Sequence, residues 1–243
     1  MKLNKNAFLQ NIILIGFAFF MIKVHVTGEI ARYVHPKMNV YILVCGIIFA
    51  ILALLNFENM MTEQENKLNK SLLIFIIPLC LALFVPPTSL SASTIQNKGM
   101  NLGIYSNSNS NKQSNVAPGT KTNEGIEIKV TEDNYTQTMY NLHDQLDDYT
   151  GKTIQISGYI YKDDTFKSNE FVVGRTMIAC CTADASLIGL KCEEINSENL
   201  KNDDWYVVTG KIKKVNLEGT EIPGIVVTNM EKTNKPPNEY VYP

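Results

Sequence analysis

Three apolar runs within the first 87 residues constrain this chain more than any other feature of it. From Ala7 to Val26 only Gln10, Asn11, Lys23 and His25 interrupt the apolar character, and Val40 to Phe57 carries no charge. At a rise of about 1.5 Å per residue, a twenty-residue helix just spans a hydrocarbon core of roughly 30 Å. The third run, Ser71 to Val85, is shorter but continues into Pro86 and Pro87, and Pro78 within it is expected to kink the helix. The expectation is a three-helix transmembrane region over residues 1–87, with spans near 7–26, 40–57 and 71–87.

A cleavable signal peptide is not expected, because the first run exceeds a typical signal core and two more runs follow. Lys2, Lys5, Lys67 and Lys70 flank the N-terminus and second loop, against Lys23, Arg32 and Lys37 in the first loop. That bias places the N-terminus inside and the C-terminal part outside the cell membrane. Residues 88–123 are rich in Ser, Asn, Gly and Lys, with too few large apolar side chains to offset the entropy of ordering them, and read as a flexible linker. Residues 124–243 have a common length for one domain.

In that domain the patterning has period two. Lys152 to Lys162 alternates Ile154, Ile156, Gly158 and Ile160 with polar or aromatic neighbours. Asn169 to Cys180, Leu187 to Cys192, Trp205 to Lys214 and Ile222 to Met230 read as four more strands. Ahead of them Tyr135, Met139, Leu142 and Leu146 recur at helical spacing, with Thr131 or Asp133 available as a cap. Gly158 and Gly210 each follow a hydroxyl residue inside a strand, which suggests two bulges or tight corners. The fold class is therefore α+β: transmembrane helices plus a small β-barrel resembling the oligonucleotide/oligosaccharide-binding (OB) fold, preceded by one helix. An open sandwich is the alternative.

Such a barrel does not imply nucleic acid here. From residue 88 onward the chain has 14 lysines and one arginine against 20 acidic residues, a net charge of −5. Binding a polyanion requires a basic groove, and no basic cluster with interleaved aromatics occurs.

The densest chemistry lies in Val173 to Ala185, where adjacent Cys180 and Cys181 stand between Arg175 and Asp184. Two soft sulfurs with a carboxylate three residues on suit a thiophilic metal ion, held by Cys180, Cys181 and Asp184, or a redox pair; buried packing is the plain alternative. Consecutive strand residues face opposite sides, so at most one thiol points into a core. A tight hairpin over Thr182 to Ala185 would set Cys192 opposite residue 175 or 176, too far from Cys181 to bond at about 3.3 Å per residue. A looser loop would permit that pair. Arg175 offers a planar fork for Asp184 or an anionic ligand, or lies on the surface. His25 and His35 bound the first loop, His143 lies on an acidic helix face, and Cys45 and Cys80 read as packing residues inside spans. No nucleophile elbow, Walker loop or zinc-protease helix is present, and an enzyme is not expected.

Taken together, the Tyr33-Val-His-Pro-Lys-Met loop, the three runs, Thr150-Gly-Lys, the Cys-Cys-x-x-Asp-Ala of residues 180–185, Asp204-Trp-Tyr-Val-Val-Thr-Gly and the tail from Lys235 resemble the YcgQ-like family of bacterial membrane proteins. The likeness covers nearly all of the chain except the linker. Members are typically encoded beside a predicted multi-span permease, so the resemblance implies an accessory or substrate-handling subunit of a two-component permease system. A thiol redox or metal-binding sensor outside the cytoplasm is the rival. One departure stands out: many relatives carry a histidine-rich second loop, and Glu58 to Lys70 here has no histidine.

Overall fold

The computed structural model describes residues 4–61, 69–85, 125–194, 199–217 and 219–243. The linker, residues 88–123, and most of the second loop lie outside the described residues. Two compact units are present, and Cys180–Thr182 count with the N-terminal one.

In the N-terminal unit, helix α1 spans Lys5–Thr27. Asn4 caps it, its Oδ1 accepting from the backbone N–H of Asn6 (3.1 Å) and Ala7 (3.3 Å). Gly28 ends it at φ 73°, a left-handed conformation that glycine adopts without a Cβ clash. Helix α2 spans Asn39–Asn56 behind a 3₁₀ turn, Pro36–Met38. These two segments are long and apolar enough to cross a membrane, and Ile15, Phe19, Leu54 and Leu55 face outward on them. A soluble bundle would bury such side chains.

The third run folds differently from the expectation. Lys70–Phe75 is a 3₁₀ helix and Ile76–Phe84 an α-helix, α3. Their rises sum to roughly 26 Å, short of a full crossing. Pro78 falls in the first turn of α3, where a missing N–H costs no helical bond, so the expected kink has no cause there. Cys45 and Cys80 are exposed on their helices rather than packed inside. Gly16 gives Leu79 room against α1: a Cβ there would lie 2.6 Å from Leu79 Cδ2. Asn56 Nδ2 donates to Ala7 O (3.3 Å), and Asn11 Nδ2 contacts Met60 Sδ (3.2 Å), polar clasps at one end of the helix pair.

The C-terminal unit is a mixed α+β structure with a seven-stranded sheet among the described residues. β1 (Ile128–Lys129) precedes helix α4 (Tyr135–Asp144) and a single turn, α5 (Leu146–Tyr149). Then come β2 (Thr153–Tyr161), β3 (Glu170–Met177), β4 (Ser186–Glu193), β5 (Trp205–Leu217), β6 (Thr220–Lys232) and β7 (Tyr240–Val241). The sheet order is β1-β2-β5-β6-β4-β3-β7, and β2 also pairs with β3. Each of β2, β5, β6, β4 and β3 thus has two neighbours within a ring, antiparallel except at β4–β6.

Alternation in β2 works as the pattern requires: Ile154, Ile156 and Ile160 are fully buried with Phe171, Val173, Leu190, Val208 and Ile225, under Tyr135, Met139 and Leu142 of α4. Each such side chain withdrawn from water contributes about 1.5–3 kcal/mol. Gly210 sits at a register shift between β5 and β6, the bulge expected of it. The helix begins later than expected: Asn134, not Thr131 or Asp133, stands at the cap position, and its side chain makes no capping bond, its Oδ1 accepting Thr131 N (2.7 Å) in the preceding turn instead.

Candidate functional site: the loop between β3 and β4

β3 ends at Met177, three residues before the cysteines, although Ile178 and Ala179 continue its apolar reading. Ile178 instead leaves the β3–β4 ladder: its N–H donates to Val241 O (3.1 Å) and its side chain packs, fully buried, with Ala185 and Tyr240. β4 starts at Ser186, opposite Met177, so residues 178–185 form the connecting loop.

Within it Thr182–Asp184 makes one 3₁₀ turn. Asp184 Oδ1 accepts the Ala179 N–H at 2.9 Å, folding the loop back on itself and aiming the carboxylate toward the cysteines. Cys180 is exposed and Cys181 half-buried, with Sγ atoms 3.7 Å apart. One ligand atom each from Cys180, Cys181 and Asp184 lie within 4.8 Å of one another, the group among the described residues able to hold a metal ion. Within the N-terminal unit, Val34 and Cys181 form an antiparallel bridge, with Thr182 N donating to Tyr33 O (2.9 Å) and His35 N to Cys180 O (3.0 Å).

His35 does not belong to the ligand group. Its Nδ1 accepts the Lys37 N–H (2.9 Å), which fixes the proton on Nε2. His25 Nδ1 donates to Asn39 Oδ1 (2.6 Å), and His143 is half-buried at the C-terminal end of α4.

Cys192 stands apart. It lies opposite Phe171, fully buried, and burial pushes its thiol well above the ordinary range. A looser loop therefore does not bring Cys192 to Cys181: the eight-residue connection slides β4 so that Cys192 moves further away, toward the far end of β3.

Arg175 does not meet Asp184. Its side chain is buried on β3, Nε donating to Ser157 O (3.2 Å) and Nη1 to Glu132 Oε1 (3.3 Å). The guanidinium lies 5.7 Å from the Tyr135 ring and 5.3 Å from the Trp205 ring. An arginine suits this place because its planar, weakly hydrated head can stack and donate at once. It braces α4 and the strands, while Asp184 is held by backbone.

A second polar centre escaped the sequence. Glu170 accepts from Lys191 Nζ (2.9 Å) and from Lys167 N (3.2 Å), and Lys191 Nζ also lies 5.6 Å from the Phe166 ring. Burial alone would raise the Glu170 carboxyl, but those bonds and the two lysine charges hold it below its usual value. Only the three-dimensional register sets Glu170 near Lys191, and no local signal marks the pair.

The chain is 22% identical to UPF0703 protein YcgQ of Bacillus subtilis (strain 168), over 95% of this chain and 98% of that protein. It is 24% identical to a Streptococcus mutans serotype c protein named as a two-component membrane permease complex subunit, over 95% of this chain and 97% of that protein. Residues 9–101 match the DUF1980 N-terminal domain and residues 104–243 the DUF1980 C-terminal domain, so the chain belongs to the DUF1980 family.

Proposed function

We propose that this protein is a membrane-anchored accessory subunit of a two-component permease, handling the substrate outside the cytoplasm. The observation that carries the reading is the relationship, over 97% of its length, to the relative named as a permease complex subunit. The two long apolar helices, together with the shorter third one, suit a multi-pass anchor in the cell membrane. The ring of β2, β5, β6, β4 and β3 supports an OB-like barrel for the C-terminal domain. A net charge of −5 from residue 88 onward argues against nucleic acid as its ligand. The working surface is the loop carrying Cys180, Cys181 and Asp184; Arg175 supports the barrel behind it.

The test is affinity purification of the tagged protein from its native membrane, followed by mass spectrometry. A multi-span membrane protein in near-stoichiometric amount is the expected result, and a protein that purifies alone overturns the reading. That second result would favour the rival, a thiol redox or metal-binding sensor, for which the 3.7 Å approach of the two sulfurs is the supporting observation.

A further inference from the structure

We infer that Cys180, Cys181 and Asp184 form an open, three-ligand site for a zinc-type divalent metal ion. Two thiolates on one tetrahedral zinc, each about 2.3 Å from it, stand roughly 3.8 Å apart. The two Sγ atoms are already 3.7 Å apart. A carboxylate oxygen on the same ion would lie about 3.6 Å from each sulfur. The three ligand atoms lie within 4.8 Å of one another, so closing on the ion asks for a movement on the order of 1 Å.

The second coordination layer is in place. Ala179 N–H donates to Asp184 Oδ1 and orients the carboxylate, as outer-shell donors do at metal sites. The ligand set also selects among metals. Two sulfurs alone would favour copper(I); an added carboxylate shifts the preference to zinc and cadmium, and excludes calcium and magnesium, which need a shell of oxygens. Binding is a simple exchange: each thiol loses its proton to solvent as its sulfur bonds the ion, with no change of oxidation state.

Three ligands among the described residues leave the fourth position to water or to a further ligand. Structural zinc sites are closed with four. An exposed, three-ligand site in a loop is built for exchange, and makes a thiophilic divalent ion the class of substrate handled. That last step rests on the permease-subunit reading, whereas the site itself does not.

The experiment uses the full chain in detergent, reduced, titrated with Cd²⁺ alone and then with Zn²⁺ in competition. The expected result is one Cd²⁺ per chain, with the ultraviolet charge-transfer band of a thiolate-bound metal. Cys180→Ser with Cys181→Ser should abolish the band, and Asp184→Asn should keep it while weakening affinity roughly tenfold or more. Cys45→Ala with Cys80→Ala should change neither. Absence of the band in the unaltered protein, or its persistence in the double serine variant, overturns the site. Circular dichroism establishes that each variant is folded, and Asp184→Asn carries the test if the double variant is not. Co-purification separates the two readings: a permease partner without a band sinks the metal site alone, and a band without a partner sinks the substrate assignment alone.

Discussion

Lys191 Nζ stands 2.9 Å from Glu170 Oε2, with both side chains almost wholly withdrawn from water. Removing the nearer cation, Lys191→Met, leaves the buried carboxylate with only the exposed Lys167, 3.8 Å away, and that residue's N–H, and should cost up to about 3–5 kcal/mol. Replacing both, Glu170→Leu with Lys191→Met, should restore most of that. The pH dependence has a definite sign. Glu170 has its carboxyl pKa below the unfolded value, so its stabilisation is full above the ordinary carboxylate pKa and is lost as pH falls through the folded one. In Lys191→Met the largest of the interactions that hold the pKa down is gone while the burial stays, so less stability should be lost on acidification than in the unaltered protein. Urea denaturation at several pH values distinguishes the two slopes.

Strand glycines make a second test. A Cβ on Gly158 would fall 2.4 Å from the Gly174 carbonyl oxygen on the neighbouring strand, where backbone must move to admit it. Gly158→Ala should therefore cost about 2 kcal/mol or more. At Gly219, φ is 90° with nothing within 4 Å of the added carbon, so Gly219→Ala should cost only about 1 kcal/mol of backbone strain. Equal losses in Tm would show that β2 and β3 are not in contact as described.

The cysteines divide by burial. Cys180 and Cys181 are not in a core, so the Ser-Ser and Ala-Ala variants should both melt close to wild type and both fail to complement a deletion strain. Cys192→Ser, by contrast, buries a hydroxyl at a fully enclosed position and should lose about 1–3 kcal/mol. A working Ser-Ser variant would remove the loop from the functional account.

Membrane orientation predicts accessibility. In a background lacking the native cysteines, a cysteine introduced at Ser108 should react with a membrane-impermeant maleimide on intact cells. Labelling only after lysis would place the C-terminal domain on the wrong side for the proposed role.

Much of this was legible in the residues, and the failures share a cause. Ile154, Ile156 and Ile160 revealed β2 because a half-buried strand must alternate, and Tyr135, Met139 and Leu142 revealed α4 because one helix face must cover that core. Ile178 misled because its buried contacts come from Tyr240, far along the chain, so β3 seemed to run on into the cysteines. Arg175 found Glu132, 43 residues away, rather than nearby Asp184. Pro78 marked a helix start instead of a kink, a distinction that depends on where the α-helical turn begins. Local patterns report which face is apolar; they carry little about which distant partner a polar group meets.

Trp205, T-shaped against Tyr159 at 6.0 Å and beside the Arg175 guanidinium, is the one tryptophan in the chain. With no other indole to contribute, ultraviolet emission excited at the red edge reports on the surroundings of this single ring. Being 5% exposed, it should emit toward the blue while the sheet is intact and shift red when the sheet opens. Unfolding of the β-sheet in the purified protein can therefore be followed without a label, while the apolar helices, which hold no tryptophan, remain silent at that wavelength.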